Sequence, residues 1–192
     1  KELPLDGGFG GFHADVSQPG GIPPIDDLGF RLMYPVSYRD FGSHESIVAC
    51  HSLRFPDSHF HKRWYELRRD TGSWYIHQSG SYLKDGVERW MGSINMNAKG
   101  DIALAYSASN NNIFPSIRYT GRLAGDSLNK MTIQEITAFP GEAPVNNVAG
   151  DRNRWGDYSS VSVDPIGDTT FWYTTMYPTE PVSQWGNWST RI

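Results

Sequence analysis

Residues 93–106 and 160–173 align without gaps at an offset of about 67 positions, and this internal repeat constrains the fold more than any other sequence feature. Each copy holds an alternating run, a turn with the pair Gly-Asp (Gly100-Asp101 or Gly167-Asp168), and a second run. This pattern predicts an antiparallel hairpin. A hairpin that recurs at such a period is typical of β-propellers, in which four-stranded sheets surround a channel; a β-sandwich is the alternative.

The rest of the chain is also rich in residues that favour strands and turns. Of the 192 residues 14% are aromatic, and 20 glycines and 12 prolines interrupt the sequence. Aromatic residues favour pleated surfaces, whereas glycine and proline break helices and form turns. We therefore predict an all-β, antiparallel fold with strands over Phe30–Tyr34, Ser46–Leu53, Arg63–Arg68, Ser73–Gln78, Gly92–Met96, Ile102–Ser107, Ser116–Tyr119, Met131–Ile136, Ser159–Val163 and Thr170–Thr175.

Charge and hydropathy argue against two classes of partner. The formal net charge of -4 gives no basic field to collect phosphates, so we expect no nucleic-acid partner. No stretch reaches the roughly 18 consecutive apolar residues that a membrane helix needs, so we expect no membrane span. The single cysteine, Cys50, follows an apolar run and is predicted to be a buried thiol; a catalytic thiolate and a bridge to a missing segment are the alternatives.

Two regions differ in composition. Residues 1–28 are rich in glycine and proline and show no period, which predicts an extended arm. Residues 29–192 are predicted to form a partial propeller domain of about three blades of a larger ring, because the repeat period fits fewer than three times into the chain. Such an arc leaves strand edges exposed, so we expect another polypeptide, either the rest of a precursor or a separate subunit, to complete it. The N-terminus lacks a signal-peptide core, which leaves a cytosolic, a processed or a fragmentary chain open.

Several motifs follow one another in a fixed order along residues 25–192. They are Arg31–Tyr34, Tyr38–Gly42, Arg63–Arg68, Arg89–Ile94, Phe114–Arg122, Arg154–Ser160, Val163–Pro165 and Phe171–Tyr173. Together they resemble the C-terminal half of a family of secreted bacterial β-propeller proteins, uncharacterised exported proteins that are loosely described as sialidase-like or Asp-box propellers. The resemblance implies secretion and a further N-terminal stretch that completes the propeller. The family has no agreed activity, so its chemistry stays open.

An arginine-tryptophan pair occurs three times. Indole rings offer apolar faces and guanidinium groups bind carboxylates, so the pairs are candidate ligand-binding residues for a glycan or an anion at the channel mouth. The alternative is a structural role in which each arginine stacks on tryptophan and pairs with a carboxylate. The residues are Arg63 and Trp64, Arg89 and Trp90, and Arg154 and Trp155.

The resemblance to sialidase-like propellers directs attention to carboxylates and tyrosines. Glu66 and Asp157 are a candidate acid and base pair for glycoside hydrolysis, and Tyr158 is a further catalytic candidate. Tyr65 and Glu66 are adjacent on a predicted strand and would point to opposite faces. The Gly-Asp turns depart from the Ser-x-Asp-x-Gly-x-Thr-Trp pattern of an Asp box, which weakens the link to sialidases.

Metal sites are weaker candidates. His59 and His61 would share one face of a strand, a spacing compatible with zinc or copper, with His51 nearby and His77 as a further ligand. No cofactor is predicted, although a structural calcium ion at turns such as Asp164–Asp168 is a rival. Two functions stay open: a non-catalytic extracellular recognition or scaffold module that binds glycan or a protein partner, and part of a secreted carbohydrate-active hydrolase.

Overall fold

The computed structural model describes residues 14–29, 31–54, 60–82, 85–150, 152–179 and 188–192, and all secondary structure in these ranges is strand, bridge or turn. The strands are β1 (Ala14–Val16), β2 (Ile25–Asp26), β3 (Ser37–Asp40), β4 (Glu45–Arg54), β5 (Phe60–Arg69), β6 (Tyr75–Tyr82), β7 (Glu88–Met96), β8 (Ile102–Asn110), β9 (Ile113–Arg122), β10 (Ile133–Phe139), β11 (Val148–Ala149), β12 (Arg152–Asn153), β13 (Ser160–Val163), β14 (Phe171–Pro178) and β15 (Trp188–Arg191). The predicted all-β fold is confirmed. The described ranges contain no helix long and apolar enough to cross a membrane.

The strands form four small sheets. Sheet A has the order β1-β2-β12-β11, sheet B β3-β4-β5-β6, sheet C β7-β8-β9-β10, and sheet D β13-β14-β15. In sheets B, C and D every strand is antiparallel to the neighbour that precedes it in the chain. Sheet A contains one parallel pair, β2 with β12.

Both predicted hairpins are confirmed. β7 pairs with β8 and β13 pairs with β14, each in antiparallel register across its Gly-Asp turn. Gly100 and Gly167 adopt φ values of +85° and +88°, which a residue with a Cβ atom rarely adopts, so the turn needs glycine there. The predicted strand over Phe30–Tyr34 is wrong for residues 31–34, which form no strand. Pro35 follows and has no N–H group to continue a ladder.

The first strands of sheets B, C and D follow one another in space. Ser37 on β3 donates its hydroxyl to the carbonyl of Ile94 on β7 (3.3 Å). The Asn95 amide on β7 donates to the carbonyl of Val161 on β13 (2.9 Å), and the backbone N–H of Val161 donates to Ser93 Oγ (2.8 Å). Side chains on one first strand therefore bind the backbone of the next, so the three sheets are linked in sequence.

One hydrophobic core joins the sheets. It includes Val16 and Ile25 from sheet A, Trp64 from sheet B, and Trp90 and Ile94 from sheet C. The segment predicted as an arm therefore contributes buried side chains over residues 16–28, while residues 1–13 lie outside the described part of the chain.

Candidate functional site

The three tryptophans of the Arg-Trp pairs lie in the core. Trp64, Trp90 and Trp155 are 1%, 0% and 5% exposed, and all three belong to the core cluster. Their indole faces contact other core side chains, and Gly80 on the neighbouring strand leaves room for Trp64, since a Cβ there would lie 2.9 Å from its Nε1 atom. The three indole rings therefore pack in the core and present no face to solvent.

Arg89 is fully buried within a network of ion pairs and hydrogen bonds. Its Nε and Nη2 atoms donate to the two carboxylate oxygens of Glu135 (2.7 and 3.1 Å), and Nη2 also reaches Asp85 (3.0 Å). Arg118 and the Tyr106 hydroxyl donate to the same carboxylate (2.8 and 2.6 Å). These donors hold the pKa of Glu135 at about 2 despite burial, which by itself raises that pKa. Glu135 was missed in the sequence because its partners come from three separate strands.

The other two arginines of the pairs also have polar partners. Arg63 on the outer face of sheet B donates to Ser79 Oγ (2.9 Å) and lies over the Tyr65 ring, 5.2 Å from its centroid. Arg154 donates to Asp157 Oδ2 (2.9 Å) and lies 3.5 Å from Asp26 Oδ2.

The candidate acid and base residues have separate sets of partners. Glu66 is fully buried in sheet B, where Ser46 (3.1 Å), Arg68 (2.6 Å) and the Gln78 amide donate to its carboxylate. Asp157 lies in the connection before β13 and pairs with Arg154. Tyr158 is 89% exposed. A carboxylate that accepts three hydrogen bonds and has no access to solvent is poorly placed to exchange protons with a substrate.

The described histidines do not assemble a metal site. Both ring nitrogens of His51 are engaged, Nδ1 with the Ser52 carbonyl (2.9 Å) and Nε2 with the Tyr65 hydroxyl (3.2 Å). His61 is buried on β5, and His59 lies outside the described residues. Within the described ranges no group of three or more histidine, cysteine or acidic side chains is arranged to hold a metal ion. At the calcium candidate, Asp164 already accepts from the Ile166 N–H (2.7 Å) and Trp172 Nε1 (2.9 Å), and Asp168 binds Arg39.

A buried lysine lies where sheets B and C meet, and the sequence does not indicate it. Lys62 on β5 is fully buried, and its ammonium group donates to Ser52 Oγ (3.3 Å). Gly92 on β7 makes room for it, because a Cβ there would lie 2.5 Å from Lys62 Cε. Burial lowers the pKa of Lys62, and burial raises the pKa of nearby Asp27 to about 6. Oδ2 of Asp27 is buried without a hydrogen-bond partner. The attraction between the two charges opposes both pKa shifts.

An open cleft of about 600 Å³ separates sheets C and D. Its wall on sheet C includes the small residues Ala103, Ala105 and Gly121, and its wall on sheet D includes Phe171 and Tyr173. Gly121 is required by close packing inside sheet C, since a Cβ there would lie 2.6 Å from the Ile102 carbonyl oxygen. Small side chains on one wall and aromatic rings on the other leave space that no side chain of the described residues fills.

The rim of the cleft combines exposed aromatic and apolar groups with one guanidinium. Tyr119 and Ile133 line the cleft and are 40% and 42% exposed. Arg191 on β15 donates from Nη2 to the Tyr177 hydroxyl (2.7 Å) and stacks on the rings of Phe139 and Tyr177, 5.0 and 4.8 Å from their centroids. This guanidinium is exposed, and stacking fixes its plane at the edge of the cleft.

Comparisons of the chain with models of known protein families, with curated proteins and with solved structures found no match.

Proposed function

We propose that the chain is a non-catalytic recognition module that forms part of an extracellular β-propeller, which another polypeptide completes. The linked first strands β3, β7 and β13 support a ring arrangement, because each first strand binds the next through side chains on the same face. Three successive antiparallel sheets with this linkage fit about three blades of a larger ring. Extracellular location rests on the family resemblance, and fractionation of the producing cells tests it.

The cleft between sheets C and D is the observation that carries the binding function. Its walls are mainly apolar and aromatic, and its one exposed guanidinium, Arg191, lies at the rim. Polar groups that line it are largely engaged: Thr120 donates to the Ile133 carbonyl (2.6 Å) and Asp101 accepts from Asn97 and Ala124. A polypeptide segment with apolar side chains and a nearby carboxylate matches this lining.

A glycan is the second candidate ligand. The exposed ring of Tyr119 at the rim offers a face on which a sugar ring can stack, and Arg191 suits an acidic sugar. A neutral sugar presents many hydroxyl groups, for which the cleft holds few unengaged partners. This favours the polypeptide over the neutral glycan.

The hydrolase alternative has less support. Glu66 is buried beneath three donors, and Asp157 is paired with an arginine, so neither is available to a glycosidic oxygen in this arrangement. Carboxylates held in such pairs favour a scaffold role.

Selection of binders from a library of random linear peptides tests the cleft. We expect selected peptides to combine apolar and acidic residues, to lose at least about tenfold in affinity for Arg191→Gln, and to lose binding to Ala103→Phe, which fills the cleft. Lys130→Gln is the matched control, since it removes an equal charge outside the cleft lining.

Equal binding by Ala103→Phe and the unmodified chain would reject the cleft as the site. A glycan array run in parallel, with acidic and neutral sugars, separates the two ligand classes. If an acidic glycan binds and Arg191→Gln abolishes that binding, the glycan and not the peptide is the ligand of the cleft. If the chain hydrolyses a glycan and Glu66→Gln abolishes that hydrolysis, the hydrolase alternative is correct.

A further inference from the structure

One face of sheet B carries an apolar row that is partly exposed, although Ala49, His51 and Tyr65 on the same face are buried. Ser37 and Arg39 on β3 contact sheet C through Ile94 and Met96, so Tyr38 between them faces away from sheet C. Tyr38 begins a row that runs in register across all four strands, through Ile47, Leu67 and Ile76. Tyr38 is 56% exposed and the other three side chains are half-buried. Four apolar side chains in one row across a sheet are normally packed against another layer.

The corresponding rows of the following sheets are covered. In sheet C, Ile94, Leu104 and Thr120 are in register and 0%, 0% and 1% exposed, beneath sheet B. In sheet D, Val161 is 1% exposed and is hydrogen-bonded to β7 of sheet C. Tyr38 therefore occupies the position in sheet B that Ile94 occupies in sheet C and Val161 in sheet D. Each of those two residues packs against the preceding sheet.

The exposed apolar surface continues along the chain before β3. Leu32, Tyr34 and Val36 are 40%, 76% and 50% exposed and alternate with the buried Met33 and the half-buried Pro35. Met33 donates its N–H to the Cys50 carbonyl (2.9 Å), which holds this segment beside β4. These exposed residues and the Tyr38 row are here together called the B face. Apolar patches of this kind mark interaction sites.

At the other end of the arc, sheet D shows the opposite kind of surface. Ser162 on β13 and Trp172 on β14 are in register, and both are exposed. The counterpart of Ser162 in the repeat is Asn95, which donates to the backbone of the next first strand. Sheet D thus has a short hydrogen-bonding side chain and an aromatic ring where a following sheet would lie; this surface is here called the D face.

We propose that the B face of one copy of this chain packs on the D face of a second copy, so that two copies close one ring with three sheets from each. The inference rests on the ring architecture of the proposed function and names the polypeptide that completes it. A second copy fits because the chain has both complementary faces. The B face corresponds to the face of sheet C that packs against sheet B, and the D face corresponds to the face of sheet C that packs against sheet D. Head-to-tail contacts form a closed ring when the rotation between copies closes, and a two-fold rotation makes both contacts at once.

Light scattering after size-exclusion chromatography of the 192-residue chain gives the first test. We expect twice the 21.6 kDa mass of one chain. Tyr38→Glu puts a charge in the interface and is expected to give the single-chain mass with an unchanged far-ultraviolet circular dichroism spectrum. Leu128→Glu is the control, because Leu128 is a 47% exposed apolar residue in the connection between β9 and β10. It is expected to keep the double mass.

Crosslinking tests the head-to-tail geometry. Val36→Cys and Ser162→Cys place a thiol on the B face and on the D face, while the native Cys50 is fully buried. A flexible bismaleimide is expected to link a mixture of the two variants into a dimer and to leave each variant alone largely unlinked. Strong linkage of either variant to itself would overturn the geometry.

Failure of the dimer is separable from failure of the proposed function. A single-chain mass for the unmodified protein that persists at high micromolar concentration, or capture of a different polypeptide by the Val36→Cys thiol in the producing cells, overturns the second copy as the partner. Peptide binding in the cleft is measured on the same samples. A monomer that still binds peptide therefore refutes the dimer alone, and a dimer that binds nothing refutes the cleft ligand alone.

Discussion

Four of the polar residues that sequence patterns single out are buried: Arg89, Glu66, His51 and His61. Arg89 and Glu66 are both fully buried and both have charged or amide partners within hydrogen-bond distance. Removing one partner from such a pair leaves an uncompensated charge in the core, which costs about 3 to 5 kcal/mol. The sequence motifs predicted Arg89 and Glu66 as candidate site residues, but a motif does not distinguish a buried pair from an accessible site. That distinction depends on Glu135 and Gln78, which lie 46 and 12 positions away on other strands.

His51 makes stability depend on pH. Burial, reinforced by the positive charges of Lys62 and Arg63, lowers its pKa from 6.5 to about 4. Between these values the unfolded chain binds a proton that the folded chain does not, so the free energy of unfolding falls as the pH falls from 6.5 to 4. A shift of this size corresponds to about 3 kcal/mol. We expect the His51 ring protons to titrate with a pKa near 4 in an NMR titration, and urea unfolding at several pH values to show the loss.

The variant His51→Gln isolates this contribution. It is expected to flatten the decline in unfolding free energy between pH 6.5 and pH 4, whereas His44→Gln, at the half-buried histidine before β4, leaves the decline in place. Asp27 acts in the opposite direction, because its raised pKa stabilises the fold as the pH falls from about 6 towards 3.8. Subtracting the variant's curve from that of the unmodified protein cancels the Asp27 contribution. A His51 pKa near 6.5 would contradict the buried environment.

At the scale of elements, hairpins were predictable and short edge strands were not. The two Gly-Asp hairpins follow from local turn chemistry and alternation, which a sequence records directly. β3 spans only Ser37–Asp40 and is mostly polar, so its position as a first strand depends on its contacts with β7. β11 and β12 are two residues each, and β12 pairs with β2, which is more than a hundred positions away in the chain. Pairings at that separation leave no local pattern. The cleft likewise forms between residues of sheets C and D that are far apart in the chain.

The second hairpin is held to sheet B by one ion pair. Both Nη atoms of Arg39 on β3 bind the Asp168 carboxylate (2.6 and 2.7 Å), and Asp168 is at the turn between β13 and β14 with φ +47°. Asp168→Asn tolerates this backbone conformation and removes the charge. We expect a loss of about 1 kcal/mol, limited because both side chains are partly exposed. Faster hydrogen exchange is expected at the turn and at β3.

Asp101 provides the matched control for this hairpin. It occupies the equivalent position in the first copy of the repeat, but it accepts from Asn97 and Ala124 within its own sheet. Asp101→Asn is therefore expected to change exchange at its own turn and to leave β3 unchanged. Equal protection of β3 in Asp168→Asn and the unmodified chain would show that the ion pair does not hold the two sheets together.

At the scale of the whole molecule, sheets A, B and C share one core against which Met176 of sheet D packs, and this predicts a single cooperative unfolding transition. Ile25 of sheet A is fully buried in the same cluster as Trp64 and Trp90.

Truncation by Ile25→Ala leaves a cavity and is expected to lower the free energy of unfolding by about 2 to 5 kcal/mol. Because the core is continuous, circular dichroism and tryptophan fluorescence are expected to report coincident transitions within each protein, with a lower midpoint in the variant than in the unmodified chain. The exposed Leu123→Ala change, with its side chain 53% exposed, serves as the control with little effect. Two separate transitions in Ile25→Ala, one at low denaturant and one at the original midpoint, would show that sheet A folds as an independent unit, and that the core joins only sheets B, C and D.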